Sequence, residues 1–73
     1  MIRVEFVEAQ RRRVLKALRA DPGDARGIEE QTSEFVMTAL LMRCGDDETC
    51  VRQGVDGFCF AADQHARSKA RTN

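Results

Sequence analysis

The chain contains no tryptophan and no tyrosine, and only one proline and one histidine. Without the large polar aromatics, a core must come from aliphatic side chains and four phenylalanines, which is lean for 73 residues. A domain of this size buries only about 60% of the surface its unfolded chain exposes. Ordering each residue costs roughly 1–2 kcal/mol against that burial. Such small folds usually add a staple, a metal or a second subunit, so self-association or docking on a partner is expected. One His and no Tyr also leave few groups for acid–base chemistry. Cys59 and His65 are the one nucleophile–base pair available, no third group orients the His, and a deep pocket is out of reach at this length. The chain reads as a non-enzyme.

Long apolar runs are missing too. Even the most apolar stretch, the eight residues 35–42, falls far short of the ~20 residues a membrane-spanning helix needs. The opening "MIRVEFVEAQRRR" lacks the apolar stretch of a secretion signal. Three cysteines, an odd number in a chain without such a signal, point to reduced thiols and a cytoplasmic setting. Net charge is zero, which argues against a generic nucleic-acid binder. The charge is unevenly spread: residues 1–20 carry +4, residues 21–50 carry −6 and residues 51–73 carry +2. An acidic partner, or the acidic middle of a second copy, suits the basic N-terminal third.

What is present is helical periodicity. Val4, Val7, Val14, Leu15 and Leu18 share one face of a helix over residues 4–19, interrupted only by Arg11. Glu5, Glu8, Arg12, Lys16 and Arg19 line the other side, with Glu8 and Arg12 in the favourable i,i+4 order. "DPGD" after it reads as a turn. Ile2, Val4 and Phe6 alternate with Arg3 and Glu5, so a short strand pairing across a dimer competes for residues 2–7. A second helix runs from Ile28, or from Ser33 at the latest, to Arg43, and Gly45 suits its left-handed stop. Asp46 is placed to cap a third helix. Val51, Val55, Phe58, Cys59, Ala62 and Ala66 carry its face to about Lys69, with Gly54 and Gly57 expected to split it. The tail from about residue 68 is polar and should fray. The fold class is all-α, a bundle of three to four helices in one domain spanning residues 1–73.

The segment "FVMTALLM" at 35–42 is the most apolar stretch. On a helix it has two apolar faces. Ile28, Phe35, Val36, Ala39 and Met42 form the longer one, expected to be core. Met37, Leu40, Leu41 and Cys44 form a shorter one, about 170° away. The shorter face is either core as well or a contact for another chain. Met37, Leu40 and Leu41 are thus the candidate partner-binding residues, with Arg12, Lys16 and Arg19 as a charged rim.

Cys44, Cys50, Cys59 and His65 form C-x5-C-x8-C-x5-H, a donor set zinc accepts. No ligand pair lies two to four residues apart, as structural zinc sites bring them, so no metal or other cofactor is expected. A disulfide between two of the cysteines and three small buried thiols are the other readings. No glycine-rich phosphate loop is present, and "GDDETC" lacks the alternating oxygen ligands of a calcium loop. The "RRR" at 11–13 fans out around a helix, which makes it a solvated face.

"MIRVEFV", then a helix, then "QTSEFVMTALL" resembles the ribbon-helix-helix DNA-binding family over residues 1–43. The resemblance implies an N-terminal strand paired across a dimer, with Arg3 and Glu5 facing bases and Ser33 at the phosphate-touching start of the second helix. Glu29, Glu30 and Glu34 stand where that fold attracts phosphate and would repel it. DNA binding by a transcriptional regulator is therefore the alternative. The first reading is a protein–protein interaction module: an adaptor, accessory subunit or inhibitor that works by occupying a partner's surface.

Overall fold

A computed structural model describes residues 1–20 and 27–72 of the chain. Among these residues there are three helices: α1 (Val4–Ala20), α2 (Glu29–Cys44) and α3 (Glu48–Thr72). No strand occurs among the described residues. Residues 1–3 lead directly into α1, so the alternation of Ile2, Val4 and Phe6 is not a strand here. Ile2 and Phe6 instead both pack on the core cluster. The "DPGD" turn lies outside the described residues. No described helix is long and apolar enough to cross a membrane.

Cross-helix contacts set the topology. Arg3 meets Glu48 and Arg13 meets Asp56, so α1 and α3 run in the same direction. The middle helix returns antiparallel between those two crossings of the bundle, giving an up-down-up arrangement. Helix α1 packs against both others, while α2 and α3 touch over a shorter stretch.

The corner between α2 and α3 is tightly specified. Gly45 takes φ 63°, and its N–H donates to the Leu41 carbonyl at 2.9 Å, which ends α2 as its position in the sequence suggests. The cap of α3 falls one residue later than expected. The Asp47 carboxylate, not that of Asp46, accepts from the Cys50 N–H at 3.1 Å. A disulfide joins Cys44 to Cys50 across the corner, with Cα atoms 5.6 Å apart. Cys59 is the free thiol. The expectation of reduced thiols therefore holds for one cysteine of three. The staple that a lean core calls for is covalent.

The core cluster takes Val14 from α1, Met37 from α2, and Val51 and Val55 from α3. This reverses the expected orientation of α2. Met37 is 3% exposed, and Leu40, Leu41 and Cys44 pack on the cluster. Phe35, expected at the centre of the core face, is 76% exposed. The physical reason lies partly in α3. A Cβ at Gly54 would overlap the methyl groups of Leu40, so the glycine opens the space that Leu40 fills. Close approach on that side commits α2 to turning its shorter apolar face inward. Ser33 completes the inner face, fully buried, its hydroxyl donating to the Glu30 carbonyl at 2.7 Å.

Helix α3 is continuous, so Gly54 and Gly57 do not split it. Each glycine costs about 1 kcal/mol in a helix interior, and packing along Val51, Val55 and Phe58 outweighs that. The helix also continues to Thr72, past the residue 68 at which fraying is expected. The radius of gyration is 12.8 Å, against about 11 Å for a globule of this length. Helix α1 runs beside Cys59, Ala62 and Ala66 of α3, and Arg13 ties the two helices together nearer the start of α3. Its guanidinium donates to the Asp56 carboxylate and, at 2.9 Å, to the buried Gln10 side-chain oxygen. Glu8 pairs with Arg11 at 3.2 Å rather than with Arg12. That surface pair is worth well under ~1 kcal/mol.

Candidate functional site

The apolar residues assigned to a partner from sequence lie inside the fold. Met37 is buried, and Leu40 and Leu41 are half-buried against the core cluster. Their side chains are spent on α1 and α3. Arg12, Lys16 and Arg19 are exposed on α1, on the side away from the buried Val14, so they do not frame that face. The structure does not bring the two groups together as one surface.

The opposite face of α2 is the one left open. Ile28, Phe35 and Met42 are 49%, 76% and 83% exposed, and Ala39 beside them is exposed as well. Phe35 and Met42 lie in line along α2, seven residues apart, and Ile28, the residue just before its first turn, extends the row, with Thr32 and Ala39 between them. Glu29, Val36 and Arg43 run along one flank of this stripe, and Gln31 and Thr38 along the other. Single exposed apolar residues are ordinary. A continuous row on one helix is not, because water gains access to apolar surface that burial would remove. Phe60, 66% exposed on α3, has no such row around it.

The chemical candidates are dispersed. Cys44 and Cys50 are bonded to each other, which removes two members of the C-x5-C-x8-C-x5-H set. Cys59 is half-buried, and its thiol lies 3.8 Å from the Arg13 carbonyl, to which it donates. Burial raises its pKa above the ordinary thiol value, and Asp56 adds to this while Arg13 opposes it. The thiolate is the nucleophilic form, so this cysteine is a poor nucleophile near neutral pH. His65 is exposed and, on a continuous helix, projects about 120° away from Cys59. Among the described residues, no three His, Cys, Asp or Glu side chains are gathered where they can hold a metal ion.

A groove of about 410 Å³ runs between the second halves of α1 and α3. Ala17, Ala20, Ala62 and Ala66 line it, with the Cys59 thiol and Lys16 at its edges. It is a gap between helices that meet through small side chains.

The residues of the ribbon-helix-helix resemblance are differently employed. Arg3 reaches two oxygens of Glu48, at 3.2 and 3.3 Å. That hydrogen bond raises the Arg3 pKa and lowers the Glu48 pKa. Ser33 is buried in the second turn of α2 and not at its exposed start.

The outer stripe of α2 is the surface that sequence reasoning missed. Its residues were recognised as a face but assigned to the core. The available signal was the seven-residue spacing of Ile28, Phe35 and Met42, which sets the three on one line of a helix surface. No protein-family model, curated protein or solved structure matches the chain.

Proposed function

We propose that this chain is a non-catalytic protein–protein interaction module, acting as an adaptor, accessory subunit or inhibitor by covering a partner's surface. The observation that carries this reading is the exposed row Ile28–Phe35–Met42 on a helix whose other face is already packed. Phe and Met are enriched at the cores of protein interfaces relative to the rest of protein surfaces. The zero net charge and the employment of Arg3 by Glu48 favour a protein over a nucleic acid as the ligand.

The test is capture from the native host with the tagged chain, beside Phe35→Glu and a triple Arg12, Lys16, Arg19→Ala variant. A protein retained in stoichiometric amount by the wild type and the triple variant, and lost with Phe35→Glu, supports the reading. Retention unchanged by Phe35→Glu overturns it. Salt-sensitive nucleic acid lost in Arg3→Ala would establish the DNA-binding alternative instead.

A further inference from the structure

We infer that the outer stripe of α2 binds a second copy of itself, antiparallel, with a two-fold axis passing near Phe35. This rests on the interaction-surface reading and names its occupant. Two features of the helix carry it.

The first is register. Ile28, Phe35 and Met42 occupy one core position of a heptad, and Thr32 and Ala39 occupy the other, since the spacing alternates four and three. The seam spans Ile28 to Met42, about 21 Å at ~1.5 Å per residue. Placed antiparallel about Phe35, each Ile28 meets the partner copy's Met42, and the two phenylalanines meet at the centre. Thr32 and Ala39 are small enough to admit those larger side chains from the facing helix.

The second is charge. In an antiparallel pair, each flank of the seam faces the same flank of its neighbour. The flank Glu29–Val36–Arg43 is charged oppositely at its two ends. The antiparallel arrangement therefore brings Glu29 of each copy beside Arg43 of the other, while Val36 between them packs inward on its own core. Arg43 is exposed and forms no ion pair with another described residue. A parallel pair does the reverse: it sets the acidic starts of both helices together and leaves Arg43 beside neutral Thr38. Aligned helix dipoles add to that repulsion, whereas the antiparallel pair compensates them.

The seam is short, at the low end of specific interfaces, so a dissociation constant on the order of micromolar to tens of micromolar is expected. Sedimentation equilibrium on the purified full chain, up to about 500 µM, tests this directly. The wild type should pass from monomer to dimer with concentration. Phe35→Glu should weaken association by at least ~100-fold while its helical circular dichroism stays unchanged. Arg43→Glu, which sets acid against acid twice per dimer, should weaken it by about 10-fold. The double variant Glu29→Arg with Arg43→Glu restores both pairs and should return to within about 3-fold of wild type. A wild type that stays monomeric throughout overturns the dimer, and host capture with Phe35→Glu then decides separately whether another chain occupies the stripe. Dimerisation that survives Phe35→Glu, or that the charge exchange fails to rescue, overturns the antiparallel seam.

Discussion

Truncating either of two neighbouring side chains on α2, Met37 or Phe35, should have very different consequences. Met37 is 3% exposed within the Val14–Val51–Val55 cluster, and Phe35 is 76% exposed on the far side. Met37→Ala removes buried methylene and thioether groups and leaves a cavity, for a cost of about 2–5 kcal/mol. A domain of this length has about 4–11 kcal/mol in total, at ~0.05–0.15 kcal/mol per residue. The substitution thus takes a large share of the whole. With a urea slope of about 1 kcal/mol per molar for so small a chain, the unfolding midpoint should fall by several molar. Phe35→Ala should change the stability of the isolated monomer by no more than about 0.5 kcal/mol. Urea titrations followed by circular dichroism, each at two protein concentrations, separate this intrinsic effect from stabilisation by dimer formation. At low concentration Phe35→Ala should match wild type. If it instead lowers the midpoint as far as Met37→Ala does, the orientation of α2 is wrong and so is everything built on it.

Gly54→Ala and Gly57→Ala should move stability in opposite directions. At Gly57 an added Cβ meets open space and gains helix propensity worth about 0.5–1 kcal/mol, whereas at Gly54 it collides with Leu40 and should lower the melting temperature. Reducing Cys44–Cys50 reopens a short loop and should cost about 2 kcal/mol, seen as a lower melting temperature in a phosphine reductant that Cys44→Ser does not lower further. The Arg3 hydrogen bond lowers the Glu48 pKa, so this contact stabilises above the carboxylate's unfolded value and is lost as pH falls through the folded one. The pair is exposed, so the effect is small, and Glu48→Gln should remove it from the acid side of a stability–pH profile.

The helices themselves were legible because local signals agreed. Gly45 supplies the left-handed stop, acids open the last two helices, and the Val14–Leu18 spacing gives α1 its inner face. What sequence could not decide was which of two opposite apolar faces of α2 turns inward. Periodicity reports that a face is apolar and says nothing of what lies across from it. The tie was broken by Gly54, whose missing side chain makes room for Leu40, and that glycine was read as a helix breaker. Propensity argued for a break at about 1 kcal/mol per glycine, and tertiary packing overrode it. The disulfide was hidden for a related reason. Cysteines 44 and 50 approach only because the Gly45 turn folds the chain back, a geometry that spacing alone does not specify. The candidate site suffered most, since its placement inherits the choice of face.

Photocrosslinking from α2 tests the central claim, that Phe35 faces outward to another chain and Leu41 faces inward. A benzophenone side chain is placed at position 35 in one sample of purified protein and at position 41 in another, and both are irradiated at concentrations spanning the dimer transition. Position 35 should yield a covalent dimer of twice the 8.2 kDa chain mass, with the crosslink mapping to α2 of the second copy. Position 41 should yield only crosslinks within one chain, to α1 or α3. Covalent dimer from position 41 and none from position 35 would contradict the account.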